Sequence, residues 1–99
     1  MLNRKEAKEN LKAAAAGLLP LIQAALAQAP EEAASVKVED MYFSKEYLRE
    51  IIPILNFILE EQPENRKARC QALCDMISLE MVANSKLWGE LRYNARLLT

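Results

Sequence analysis

The stretch SKEYLREIIPILNFILE, residues 44–60, decides the fold class of this chain. Ser44 offers a side-chain acceptor just ahead of a charged first turn, the pattern of a helix N-cap. From there Tyr47, Leu48, Ile51, Ile52, Leu55, Ile58 and Leu59 return at steps of three and four, which lines one continuous face of a helix. Ile54 and Phe57 fall on the flank of that face and widen it beyond what a single helix contact requires. Pro53 removes one interior hydrogen bond and is expected to bend the helix. This is the most apolar helix of the chain, expected to reach about Glu61 and to form the centre of the fold.

Toward the N-terminus, Asn3 with Glu6 three residues later resembles a capping box and opens a helix that reaches about Gln28. Leu11, Ala15, Leu18, Ile22 and Ala25 recur on one side of it. Ala13 to Ala16 present almost no side chain, so a neighbouring helix can come close. Pro20 is expected to bend it near Ala16 and Gly17. The same stretch imitates a secretory signal, with Arg4, Lys5, Lys8 and Lys12 ahead of an apolar run that ends in Ala27-Gln28-Ala29. Glu6, Glu9 and Gln23 interrupt that imitation, and Pro30 follows the would-be cleavage point. The apolar run from Ala13 to Ala27 is also short and Ala-rich for a bilayer span. A helix of the mature fold, no membrane association and a cytoplasmic location are the expectations.

Between these two helices, Ala29 to Phe43 reads as a connection. Val36-Lys37-Val38-Glu39 alternates as a strand does, but a lone strand has nothing to pair with. Met41, Tyr42 and Phe43 read as an apolar knot that pins the loop to the core, with an exposed binding tip as the less favoured alternative. Beyond the central helix, Gln62-Pro63-Glu64-Asn65 reads as a turn. A third helix is expected from about Arg66 to Val82, with Cys70, Leu73, Cys74, Ile77 and Met81 inside and Met76 and Leu79 outside. Ser85 caps a last helix from Lys86 to Leu98, with Leu87, Trp88, Leu91, Ala95 and Leu98 directed inward. One long bent helix fits residues 66–98 equally well. With 99 residues, 52% hydrophobic, 27% charged and only two glycines, the chain is expected to be one all-α domain over residues 1–99, a bundle of three or four helices.

Chemistry is scarce. There is no histidine, so the usual general base at neutral pH and the commonest metal ligand are both missing. Cys70 and Cys74 could begin a zinc site, but no further Cys or His completes it. Ser35, Ser44, Ser78 and Ser85 have no base to activate them, and Gly17 and Gly89 cannot make a phosphate-holding loop. The acidic pairs flank helix ends and loops, where water solvates them. No catalysis, metal, cofactor or small-molecule substrate is expected.

Net charge is −1, distributed as +2 over residues 1–29, −5 over 30–62 and +2 over 63–99. A small DNA-binding regulator is one alternative. In it, Ala83 to Ser85 would be the turn of a helix-turn-helix, Arg66, Lys67 and Arg69 would open one helix, and Arg92 and Arg96 would line the next. Gly89, Glu90 and the overall charge weigh against it. The leading expectation rests on surplus apolar surface, since Ile54, Phe57, Met76, Leu79 and Leu97 all lie outside the stripes. It is a small protein-binding protein: an adaptor, an inhibitor or anti-activator, or a chaperone of a larger protein, in the manner of many compact helical chains of bacteria and phages. That comparison is one of analogy. The partner would be that larger protein or a second copy in a homodimer, and Ile54→Glu would then leave a folded, dissociated chain. A structural subunit of a self-assembling complex is the third reading.

Overall fold

The computed structural model describes residues 3–60 and 64–99. It begins where the capping pattern placed the first helix: the Asn3 side chain accepts the Glu6 backbone N–H at 2.8 Å, and helix α1 runs Arg4–Gln28. The helix continues through Pro20. Ala7, Leu11, Ala14, Ala15, Leu18, Leu19 and Ile22 are buried along it. At 25 residues it exceeds the apolar run alone, and by length and composition it is long enough to cross a membrane. In this fold the helices Lys45–Leu59 and Lys86–Leu97 and the strand Ser35–Val38 pack against it. The small side chains do permit close approach, since a Cβ placed on Gly17 would lie 3.0 Å from Leu87 Cδ2 of the last helix.

The connection is not a loop. Strand β1, Ser35–Val38, pairs antiparallel with strand β2, Met41–Ser44, in the register Ser35↔Ser44, Val36↔Phe43, Lys37↔Tyr42 and Val38↔Met41. The lone strand thus finds its partner in the apolar knot. Only Glu39 and Asp40 separate the two strands, and Glu39 adopts the left-handed conformation at φ 57°. Alternation then turns Val36, Val38 and Phe43 into the core and leaves Lys37 and Tyr42 outside. The fold is therefore mostly helical with a small two-stranded sheet, rather than wholly α.

Helix α2 covers Lys45–Leu59, with the Ser44 hydroxyl accepting the Tyr47 N–H at 3.0 Å. Leu48, Ile51, Leu55 and Ile58 are buried as the stripe requires. Ile54 is buried too, at 8% exposure, and this corrects its reading as surplus surface. The broad stripe is used because α2 meets three elements: α1, strand β2 and the third helix. Glu61, Gln62 and Pro63, the expected helix end and turn, lie outside the described residues.

The remaining chain forms three helices, α3 Arg66–Met76, α4 Leu79–Asn84 and α5 Lys86–Leu97. The helix expected over residues 66–82 is interrupted at Ile77, whose backbone is extended. Ser78 then restarts it by accepting the Met81 N–H at 3.3 Å. The hydroxyl offered a competing local hydrogen bond that the apolar periodicity concealed. Ser85 caps α5 through the Trp88 N–H at 3.2 Å. Trp88 is fully buried, its ring centroid 5.4 Å from that of Phe43, so it belongs to the core.

Candidate functional site

The five residues expected to contact a partner do not form one patch. Ile54 is core. Phe57 is half-buried beneath the Arg69 guanidinium, 4.9 Å from its ring centroid, and Met76 is half-buried with its carbonyl accepting the Tyr47 hydroxyl at 3.0 Å. These two are corrected from open surface to the margin of the core. Leu79 is 71% exposed and Leu97 40%. Leu97 lies at the end of α5, whereas Leu79 begins α4 and adjoins a cleft.

That cleft separates β2 from the start of α4. It is lined by Asp40, Met41, Tyr42, Phe43, Ser44, Tyr47, Ser78, Glu80 and Met81, with a volume of about 520 Å³, inside the ~300–1,000 Å³ typical of ligand pockets. Its floor is fixed by Tyr47, whose hydroxyl donates to the Met76 carbonyl and lies 3.9 Å from Met81 Sδ. The Tyr47 ring stacks on Phe43 at a centroid distance of 5.6 Å. Burial raises the Tyr47 pKa to about 12, so its hydroxyl stays a neutral donor. Ser78 N–H points to Met81 Sδ at 3.4 Å, which ties the far wall together.

Tyr42 at 73% and Leu79 at 71% are the two most exposed large apolar side chains of the described residues. Tyr42 lines the cleft, and Leu79 lies in sequence between the lining residues Ser78 and Glu80. The rim is acidic: Asp40 and Glu80 belong to the lining, and no lining residue is a cation. Nearby Lys45 is committed elsewhere, its Nζ donating to the carbonyls of Pro30 at 2.7 Å and Glu31 at 3.3 Å.

Four arginines act on the two cysteines of α3. Burial pushes the Cys74 thiol up, opposed by Arg92 and Arg96, so both arginines of α5 lie toward α3. Burial likewise raises Cys70, helped by Cys74 and opposed by Arg66 and Arg4. Arg92 is half-buried, with its Nε lacking a partner. Lys67 is exposed on α3. The expected recognition helix α5 buries Trp88, Leu91, Asn94 and Ala95. Both cysteines are free, and among the described residues no group of three or more Cys, Asp or Glu could hold a metal ion.

Sequence reasoning named Leu79 and gave Tyr42 only within the alternative of an exposed tip. The available signal was the alternation from Val36 to Phe43, which places residue 42 opposite Lys37 and away from the core. Compared with protein-family profiles, with curated proteins and with solved structures, the chain matches none.

Proposed function

We propose that this chain is a small non-catalytic protein-binding protein whose contact surface is the cleft between β2 and α4. The observation that carries this reading is Tyr42, 73% exposed on the wall of a cleft with a stacked aromatic floor, while Leu79, 71% exposed, lies in sequence between two residues of the opposite wall. Exposed Tyr beside aliphatic and Met side chains is the composition found at the centres of protein interfaces. An adaptor, an inhibitor or a chaperone of a larger cytoplasmic protein fits it equally well. The DNA-binding alternative draws less support, because Arg92 and Arg96 turn toward α3 and a net charge of −1 attracts phosphate weakly.

The test is site-specific photocrosslinking in cells that make the protein naturally. A photoreactive residue at position 42 or 79 should give the same single adduct, and one at Lys8 or Arg49 should not. Adducts absent from 42 and 79, or equally abundant from the controls, would remove the cleft from consideration.

A further inference from the structure

We infer that the cleft takes an extended, cationic segment of a partner protein, added as a third strand to the free edge of β2. The inference rests on the protein-binding reading above and specifies its partner. In the hairpin register, hydrogen-bonded pairs alternate with non-bonded ones. The two-residue link makes Val38 and Met41 a bonded pair, followed by Val36 with Phe43. The Lys45 N–H to Ala34 carbonyl bond at 3.0 Å continues the same alternation. The Lys37–Tyr42 pair is therefore non-bonded. Its β2 member, Tyr42, directs its backbone N–H and C=O away from β1, toward the cleft side, and neither group meets a backbone partner among the described residues.

An unpaired strand edge is a template for another strand. Here it lies in a cleft rather than under a helix or loop. A segment laid along it would exchange backbone hydrogen bonds with Tyr42, the mode in which main-chain bonds give affinity and pockets for alternate side chains give specificity. Side chains on its inner face would meet Met41 and Met81, and those on its outer face would lie beside Tyr42.

Charge selects the occupant. Asp40 and Glu80 line the cleft with no cation among its described lining residues. Lys37, opposite Tyr42, is the single cation of β1, so the balance stays acidic: a segment with Lys or Arg among apolar residues is complementary and an acidic one is repelled. The same carboxylates argue against a second copy of this chain. Edge-to-edge pairing would place both acidic rims in one interface with no lining cation to meet them.

The experiment titrates the full ¹⁵N-labelled chain with acetyl-Lys-Val-Lys-Val-Lys-Val-amide and, separately, with acetyl-Glu-Val-Glu-Val-Glu-Val-amide. The cationic peptide should shift the amides of residues 40–44 and 78–81 and slow hydrogen exchange at the Tyr42 N–H. It should bind at least about fivefold more tightly than the acidic peptide, and the preference should shrink in high salt. The D40N/E80Q double variant should lose that preference while keeping its fold. Equal binding of the two peptides, shifts at the cleft without slowed exchange at Tyr42, or dimerisation through β2 would each overturn the inference. If both peptides leave the cleft untouched while the crosslinks from positions 42 and 79 persist, strand addition fails and the protein-binding reading stands. Absent crosslinks would remove both.

Discussion

The Ser85 hydroxyl donates to the Glu39 carboxylate at 2.5 Å while accepting the Trp88 N–H at 3.2 Å. One side chain thus caps α5 and fastens the tip of a hairpin 46 residues earlier in sequence. Ser85→Ala removes both contacts, and the loss is expected to be about 1–2 kcal/mol. Ser85→Thr keeps the hydroxyl and should recover most of it. Glu39→Gly relieves the left-handed backbone but discards the acceptor, so its cost should be smaller than that of Ser85→Ala. Urea melts followed by Trp88 fluorescence measure all three, and a double-mutant cycle isolates the pair. Coupling near zero would show that the contact contributes nothing to stability.

The position of Ile54 reverses the outcome expected from sequence. At 8% exposure it is core, so Ile54→Glu would bury an unpaired carboxylate and should abolish the helical circular dichroism signal rather than release a folded chain. Ile54→Ala is expected to cost about 2–5 kcal/mol. A folded Ile54→Glu variant, seen as unchanged circular dichroism and a single smaller species in sedimentation, would restore Ile54 to an interface.

Three helix starts were legible because a cap is a local event. Asn3, Ser44 and Ser85 each need only a backbone N–H three residues ahead. Ser78 obeys the same rule, but Ile77 and Met81 carry the apolar stripe across the break and hide it. The hairpin was illegible because its turn, Glu39-Asp40, lacks the Gly or Asn that usually accompanies a left-handed residue. The width of the α2 stripe suggested spare surface, yet how many neighbours surround a helix is a tertiary property that no single helix reveals. The cleft is built from residues 40–44 and 78–81, and bringing segments that far apart together is likewise beyond local pattern.

The Tyr47 hydroxyl links the cleft floor to stability at high pH. Its pKa is raised by burial from 10.0 to about 12. Below pH 10 the hydroxyl is protonated in both folded and unfolded chains and this contribution is complete. As pH rises from 10 toward 12 the unfolded chain ionises first, so stability falls through that window. Tyr47→Phe should cost about 0.5–1.5 kcal/mol at neutral pH through the lost bond to the Met76 carbonyl. It should also flatten the alkaline part of a thermal-melt series relative to the parent. Parallel alkaline slopes in the two proteins would mean that another group controls the decline.

The two glycines should respond in opposite ways, and the difference isolates packing from helix propensity. Both lie inside helices with ordinary negative φ, so replacing either with Ala gains about 0.5–1 kcal/mol from the backbone. At Gly89 the new methyl would meet the Val82 carbonyl oxygen at 3.5 Å and Val82 Cγ1 at 3.6 Å, which is normal contact. Gly89→Ala should therefore keep the whole gain and raise the melting temperature by roughly 2–8 °C in a domain of this size. At Gly17 the methyl would stand 3.0 Å from Leu87 Cδ2, and Leu87 is half-buried rather than locked in the core. The leucine can turn aside at a cost comparable to the gain, so Gly17→Ala should be close to neutral. Gly17→Val, with two more carbons in the same seam, should lose about 1–3 kcal/mol. Calorimetry on the three variants orders them as Gly89→Ala, Gly17→Ala, Gly17→Val. A Gly17→Val protein as stable as its parent would mean that α1 and α5 are not in close contact at Gly17.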